Sequence, residues 1–494
     1  STLFPYTTLF RSPYSPAPVA PWSNIRDATD FGAVCMQPEG QSIIGEEDCL
    51  TLNIWAPASR AVSRLPVLFY VPGGNNTGGA ASMPNYDGRR LAERGLVVVV
   101  TINYRLGAFG FLAHPAFAKE NERGASGNYA LLDQIAALRW LKRNIAAFGG
   151  DPARVMVFGQ SAGSVNTCSL VASPVARGLF SGALMQSGPC YVVAQSVVAN
   201  TAKVVTDVLG CAEASGVAAC LRSAKASDVA RLPGAGSPGD PPAACAQSGC
   251  DYDPVVDGYV LPDSPLSLIR SGRHNHVPMI VGTTANEYGW LISADSVPDE
   301  PGYRRFAQRA FGEERSHFGL AGGAAFILEH YPISNYDSPR EALVDALNDR
   351  VMRCPARRTL LAAAASQAQP VWRYEWAYVY RTQPLRAHGA GHAYDVDFVF
   401  GNFIQKMTAD SGDPSAFGSG RQGASGGERM LSDAVMDYWI RFAATGDPNG
   451  KGVTRWPRFS PEKESYLRFD QTIVAMDGLR TEQCQRDDGV GLRW

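Results

Sequence analysis

The sequence predicts an α/β fold with a large central, mostly parallel β-sheet and a helical, loop-rich cap. Between Leu50 and Phe158, short apolar segments rich in β-branched residues alternate with segments of helical periodicity. Proline and glycine bound the apolar segments, which is typical of buried parallel strands. The order strand, helix, strand, helix favours a parallel sheet covered by helices.

The predicted strands are short apolar runs. Residues 65–71, 96–102 and 155–158 lie in the first third of the chain. Strand patterns return at 279–282 and 371–380, so we expect the sheet to resume after an insertion.

The predicted helices have apolar residues on one face. Between Asn128 and Gly149 such residues recur at spacings of three and four, which predicts an amphipathic helix with Asn128 as its N-cap and Gly149 at its end. A second helix is expected over 164–172. Stretches rich in proline and glycine at 232–242 and 412–427 are interpreted as surface excursions.

Charge and composition exclude several classes of function. The chain has 45 Lys and Arg against 47 Asp and Glu, so it lacks the basic surface that binds nucleic acid. Its longest apolar runs are far shorter than the roughly 18 residues of a transmembrane segment. No Cys-x-x-Cys pair is present, and we expect no metal and no cofactor. The expected partner is a small molecule, and the oligomeric state stays open.

Residues 1–12 lack the features of a signal peptide. They resemble translated adapter read-through in assembled environmental sequences, and we interpret them as a non-native leader. On this interpretation residues 13–494 form a single domain, and any export signal is missing.

Residues 159–163 read Gly-Gln-Ser-Ala-Gly, which matches the G-x-S-x-G pattern. The segment lies between a predicted strand and a predicted helix, the context in which a sharp turn exposes a nucleophilic serine. Ser161 is therefore the candidate nucleophile. A serine hydroxyl becomes nucleophilic only when a base, oriented by a carboxylate, takes its proton.

The base is expected among the histidines that follow Ser161, because the chain order in this motif class is serine, acid, histidine. His274 and His276 form an H-x-H pair, but without a third ligand nearby we interpret them as part of a solvated loop. His388 and His392 flank a Gly-Ala-Gly loop, and loops on rigid scaffolds commonly carry catalytic residues. The residues alone narrow the base to these two.

The acid is expected just after a strand. Glu287 follows the predicted strand 279–282 and is favoured, without being singled out, over three aspartates in a polar loop, Asp251, Asp253 and Asp257. The same aspartates lack the ligand spacing of a calcium site.

From about Pro16 to Cys484 the chain resembles the type-B carboxylesterases, the family that includes cholinesterases and fungal extracellular lipases, and we expect a bacterial member. The matching segments are Glu-Glu-Asp-Cys-Leu-Thr-Leu-Asn-Ile-Trp at 46–55, Asn-Tyr-Arg-Leu-Gly at 103–107, Gly-Asn at 127–128 with Asp-Gln at 133–134, the serine motif, residues 282–287, and Gly-His-Ala-Tyr-Asp at 391–395.

The resemblance implies an α/β-hydrolase fold and a catalytic triad of Ser161, Glu287 and His392, which places His392 above His388. It also implies an oxyanion hole built from backbone N–H groups. Its four residues are Gly73, Gly74, Asn75 and Ala162.

The family usually has opening strands before the proline-rich segment, and the resemblance implies that these first strands are missing here. Within the site the chain departs from the family pattern at three positions, the first of which is Pro72 in place of the histidine. Asn75 replaces a glycine of the usual His-Gly-Gly-Gly segment, and we expect the hole to survive because asparagine tolerates unusual backbone angles. Gln160 replaces a frequent glutamate before the nucleophile, and the lost negative charge is expected to weaken affinity for cationic leaving groups.

The resemblance also implies structural bonds. Arg105 and Asp133 would form a buried ion pair. The implied disulfides are Cys35–Cys49, Cys211–Cys220 and, less securely, Cys354–Cys484. Cys245 and Cys250 are expected to pair locally, and Cys168 and Cys190 stay unassigned.

The sequence therefore predicts a secreted or periplasmic serine esterase that forms an acyl-enzyme. Two alternatives stay open. One is a lipase acting on longer acylglycerols, and the other is a non-catalytic binding or adhesion module of the same fold. The natural substrate is not predicted.

Overall fold

The structure is a computed structural model of the 494-residue chain. It describes residues 16, 23, 27–58, 64–212, 216–232, 250–292, 295, 297–311, 323–381, 385–403 and 424–488. The proposed leader lies outside the described residues, as do Cys245 and most of the two stretches rich in proline and glycine.

One large sheet organises the described residues. Its strands are β3 (Leu52–Trp55), β4 (Leu65–Val71), β5 (Val98–Ile102), β6 (Gly150–Gln160), β7 (Gly182–Gln186), β8 (Met279–Thr284), β9 (Val371–Trp376), β10 (Tyr466–Phe469) and β11 (Val474–Met476). Two further strands, β1 (Gln37–Glu39) and β2 (Ser42–Ile44), pair with each other. The sheet order is β11-β10-β9-β8-β7-β6-β4-β5-β3. β3 and β11 are antiparallel to their neighbours and the other pairings are parallel.

Helices connect these strands. In chain order they are α1 (Arg89–Gly95), α2 (Gly107–Phe111), α3 (Pro115–Glu120), α4 (Tyr129–Asn144), α5 (Ala162–Ala172), α6 (Gln195–Val208), α7 (Val217–Ser223), α8 (Ala226–Ala230), α9 (Pro265–Arg270), α10 (Glu300–Phe311), α11 (Gly323–His330), α12 (Pro339–Leu347), α13 (Cys354–Ser366), α14 (Tyr394–Phe400), α15 (Gly426–Thr445) and α16 (Thr481–Asp488). None of the described helices combines the length and apolarity that crossing a membrane requires.

Both faces of the sheet are covered, which explains why β4 is apolar at almost every position. Val67 and Phe69 belong to an apolar cluster that includes residues of α4, α5 and α13. Leu68 and Tyr70 belong to a second cluster that includes residues of α1, α14 and α15. Strand residues alternate between faces, so a strand buried on both sides has no polar period.

The sequence predicts an insertion before the strand at 279–282, and residues 187–278 do separate β7 from β8 along the chain. A third apolar cluster belongs to a second long connection, the one that links β8 to β9. It is formed mainly by α10, α11 and α12, with Ile292 and Val297 before α10, Tyr331 after α11 and Val351 after α12.

Two predicted boundaries are wrong, and the predicted N-cap residue of α4 has the predicted position but makes no capping bond with its side chain. Leu96 is not in a strand, because it ends α1 in a left-handed conformation (φ 49°) and β5 begins at Val98. The strand predicted at 371–380 ends at Trp376. The side chain of this residue, Asn128, instead exchanges two hydrogen bonds with the backbone of Val255 (2.8 and 3.0 Å).

The structural bonds that the resemblance implies are present. Arg105 binds Asp133 through two nitrogens at 2.6 and 2.7 Å, and the pair is buried. Disulfides join Cys35–Cys49, Cys211–Cys220 and Cys354–Cys484, and a fourth joins Cys168–Cys190, which sequence reasoning left unassigned. Cys250 is also disulfide-bonded, and its partner lies outside the described residues.

Candidate active site

Ser161 lies at the sharp turn between β6 and α5. Its backbone has φ 58° and ψ −128°, outside the regions that L residues favour. Its N–H donates to the carbonyl oxygen of Gln186 (2.9 Å), and its own carbonyl oxygen accepts from the N–H of Ser164 (2.8 Å). A Cβ on Gly163 would overlap the carbonyl oxygen of Val71, so the close approach of α5 to β4 requires glycine there.

Glu287 and His392 come from two loops that are joined to each other. Glu287 is 1% exposed, and its Oε1 accepts from the N–H of Thr284 (2.7 Å). Its Oε2 lies 2.5 Å from Nδ1 of His392. Asn286 joins the two loops, because its N–H donates to the carbonyl oxygen of Ala390 (3.0 Å) and its Oδ1 accepts from the N–H of Ala390 (3.1 Å).

The loop after β4 carries three predicted oxyanion residues and lies against the turn that holds Ser161. A Cβ on Gly73 would lie 3.1 Å from the Cβ of Ser161. Gly74 has φ 113° and Asn75 has φ 55°, conformations that favour glycine. Ala162 is the first residue of α5, so its N–H has no acceptor within the helix.

A buried polar network holds this loop from behind. Asn76 (φ 56°) is fully buried, and its Nδ2 donates to Asp253 (2.5 Å). Its Oδ1 accepts from Asn166 (2.9 Å) and from the hydroxyl of Tyr104 (3.2 Å). Tyr191 donates to the other oxygen of Asp253, and burial, with the adjacent carboxylate, raises the pKa of Tyr191. Sequence reasoning weighed Asp253 as a rival acid and as a calcium ligand, and it placed Asn76 in the oxyanion loop without predicting the bond between them.

A second buried carboxyl group lies behind His392. Asp395, on α14, accepts from Nε2 of Gln186 (2.8 Å) and from the hydroxyl of Tyr374 (2.7 Å) through Oδ2. Burial raises the pKa of Asp395. Because the carbonyl oxygen of Gln186 accepts from Ser161, this network connects the nucleophile turn to the helix that follows His392. The sequence signal that could have identified Asp395 is its place as an acidic residue at the start of an apolar helix.

The other ring nitrogen of His392 faces Gln160. The two Nε2 atoms lie 3.0 Å apart. Although both residues are described, no hydrogen bond joins the ring to the hydroxyl of Ser161. Such bonds are often long in ligand-free enzymes and shorten when substrate binds. Since Ser161 directly follows Gln160, the ring lies beside the nucleophile turn.

The rival candidates bind elsewhere. His388 Nδ1 lies 2.8 Å from the hydroxyl of Tyr394. His274 Nε2 lies 2.9 Å from Oε1 of Gln367, a protein partner in place of a metal. Asp257 accepts from backbone N–H groups of its own loop. The structure therefore brings Glu287 together with His392 and with neither of the other two histidines.

Comparison with known proteins shows the family of this chain. A family model of the carboxylesterases matches residues 13–486. Para-nitrobenzyl esterase of Bacillus subtilis is 33% identical over 484 residues, covering 96% of this chain and 90% of that protein. Carboxylesterase 5A of Canis lupus familiaris is 32% identical, covering 95% and 80%. Fumonisin B1 esterase of Sphingopyxis macrogoltabida is 33% identical, covering 94% and 81%.

A solved structure gives the same result. A PNB esterase superposes with a TM-score of 0.76 at 31% identity, covering 97% of this chain and 94% of that one. The parallel sheet and the serine turn between β6 and α5 define an α/β-hydrolase. The chain belongs to the carboxylesterase family, and it is a carboxylic ester hydrolase.

Proposed function

We propose that this ester hydrolase works through an acyl-enzyme on Ser161, with His392 as the base and Glu287 as the acid that orients it. The observation that carries the proposal is the 2.5 Å hydrogen bond between His392 Nδ1 and Glu287 Oε2, beside the Ser161 turn. Because Glu287 is 1% exposed, its negative charge acts on the ring with little screening by water.

In the first half of the reaction Ser161 Oγ attacks the ester carbonyl carbon while its proton passes to His392 Nε2. The carbonyl oxygen becomes an anion that accepts hydrogen bonds from backbone N–H groups. These belong to Gly73, Gly74, Asn75 and Ala162. When the bond to the alcohol oxygen breaks, His392 gives its proton to that oxygen.

In the second half water attacks the acyl carbon and gives a proton to His392, and Ser161 recovers it as the acid leaves. Each backbone donor in the hole contributes typically about 10² to 10³ in rate. Apart from the ester and the attacking water, every group named in this mechanism is a side chain or backbone group of this chain.

The decisive experiment compares matched variants with 4-nitrophenyl acetate as the substrate. Ser161→Ala and His392→Ala are each expected to lower kcat by about 10⁶. His388→Ala and Ser169→Ala are the controls, because His388 binds Tyr394 and the Ser169 hydroxyl bonds within its own helix. Equal rates for wild type and Ser161→Ala would overturn the mechanism and leave the non-catalytic binding module.

A lipase is the alternative within the same chemistry. A panel of acyl esters of graded chain length separates the two, because a lipase gains rate with long chains and a carboxylesterase loses it. We propose the carboxylesterase, since the sequence shows no long apolar lid.

We also propose that the protein acts outside the cytoplasm. Disulfides persist in oxidising compartments, and the described residues contain four of them. A count of ten free thiols in the exported protein by mass spectrometry would contradict this.

A further inference from the structure

Gln160 makes a contact that the proposed mechanism does not use. It ends β6, is 3% exposed, and presents Nε2 to Nε2 of His392 at 3.0 Å. Its Oε1 points the other way, 3.2 Å from the position of a Cβ on Gly73. The side-chain amide of Gln160 therefore contacts His392 Nε2, the ring nitrogen that has to accept the proton of Ser161.

The partners of the ring decide where its protons lie. An ionised carboxylate only accepts, so the Glu287 contact at 2.5 Å places a proton on His392 Nδ1. In the neutral ring Nε2 then carries a lone pair, and the amide N–H of Gln160 donates to it. A protonated ring would set an N–H against the amide N–H. With the amide of Gln160 in this orientation, the contact is a hydrogen bond only when the ring is neutral.

We propose that Gln160 is a positioning residue that holds His392 in its neutral, base-competent form and releases Nε2 when Ser161 engages it. The inference rests on the proposed function, because it assigns His392 as the base. In the first step the Gln160 N–H···Nε2 hydrogen bond breaks and the Ser161 hydroxyl replaces it. The proton then moves from Oγ to Nε2 as the bond from Oγ to the acyl carbon forms.

The carboxyl groups around His392 make the charge of residue 160 decisive for the protonation of the ring. From the loop after β8, Glu287 binds Nδ1, and from α14 the carboxyl group of Asp395 lies behind the ring. Gln160, from β6, adds no charge on the Nε2 side. A carboxylate there would favour the protonated ring and withdraw the base at mildly acidic pH.

The experiment uses the full-length chain as wild type, Gln160→Glu and Gln160→Met. The first readout is kcat/KM for a neutral ester between about pH 5 and pH 9. We expect the midpoint of the acid limb to move up by about one pH unit in Gln160→Glu. We expect a smaller upward shift in Gln160→Met, which loses the donor to the neutral ring. KM is expected to stay within about threefold, since the residue acts on the base.

The second readout is the low-field proton NMR signal of His392 Nδ1–H, titrated over the same range without substrate. It is expected to follow the same order of midpoints, whereas His388→Ala is expected to leave it unchanged. Identical midpoints in the three proteins would overturn the inference. Should Gln160→Glu fail to fold, Gln160→Met carries the test. Absence of turnover in wild type with shifted NMR midpoints would overturn the proposed function, including His392 as the base, and would leave only the effect of Gln160 on the protonation of the ring.

Discussion

Residues with unfavourable backbone angles cluster at the candidate site. Asn75, Asn76, Ser161, Ser187 and Ala393 all have positive φ without being glycine. Each such conformation costs of the order of 1 to 3 kcal/mol and persists only where its surroundings impose it. Hydrogen bonds from buried side chains and from neighbouring strands supply that restraint here.

A substitution at Asn75 tests whether the surroundings impose its positive φ angle. Asn75→Gly removes the backbone strain, and we expect kcat/KM for 4-nitrophenyl acetate to change by less than about tenfold, because the backbone already directs its N–H as glycine would. Leu96→Gly is the matched control, since Leu96 has φ 49° at the end of α1. A rise above tenfold would show that the asparagine impairs the hole.

Asp251 gives a stability prediction that depends on pH. Its loss of hydration raises its pKa to about 6, against about 3.9 in an unfolded chain. Between these values the folded state binds more protons, so this group lowers the free energy of unfolding as pH rises. Asp251→Asn removes this effect, which for a pKa raised by about two amounts to about 3 kcal/mol.

We therefore expect the Tm of Asp251→Asn, relative to wild type, to increase from about pH 4 to pH 7. Thermal unfolding followed by circular dichroism measures this difference. A difference that is independent of pH would contradict the assignment.

At the scale of elements, the site depends on three parallel strands ending at one edge. β4 leads into the oxyanion loop, β6 into Ser161 and β8 into Glu287. The functional groups of an open α/β sheet meet at the carboxyl ends of its strands. A small displacement of a helix packed at this edge would therefore affect the oxyanion loop, Ser161 and Glu287 together.

Gly163→Ala tests the contact between α5 and β4. The added Cβ would overlap the carbonyl oxygen of Val71 and lie 2.9 Å from that of Pro72, which leads into the oxyanion loop. We expect a loss of about 1 to 3 kcal/mol of stability and at least tenfold lower kcat. Gly426→Ala is the control, because a Cβ there meets nothing within 4 Å. Unchanged activity in Gly163→Ala would mean that the helix shifts without disturbing the loop.

At the scale of the whole molecule, the C-terminal helix is joined to the body of the protein covalently and by charge. Cys484 on α16 pairs with Cys354, 130 residues earlier. Arg357 and Arg358 of α13 bind Asp488 of α16 at 3.0 and 2.8 Å. Neither helix supplies a residue of the candidate site.

Replacing both Cys354 and Cys484 by serine is expected to lower stability by about 5 kcal/mol from loop entropy, against about 3 kcal/mol for Cys211 and Cys220, which are nine residues apart. Thermal unfolding of the two double variants gives the comparison, and kcat at 25 °C is expected to stay within about threefold in both. A larger loss in the Cys211 and Cys220 variant would show that native-state effects exceed loop entropy.

Local pattern was sufficient for the core of the fold. The apolar run at Leu65–Val71 and the motif around Ser161 are encoded within a few neighbouring residues, and both lie where the sequence predicts them. The sequence alone did not distinguish His388 from His392 as the base, and it only favoured Glu287 as the acid. The choice depends on which of these side chains meet, and Glu287 and His392 are 105 residues apart in the chain.

Tertiary structure decided the remaining features. The Cys168–Cys190 disulfide, the Asn76–Asp253 hydrogen bond and the Gln160–His392 contact join residues that no local pattern relates. Short-range periodicity reports which face of an element is buried. Which side chains meet at the end of the sheet depends on how several elements pack together, and that information is distributed over the whole chain.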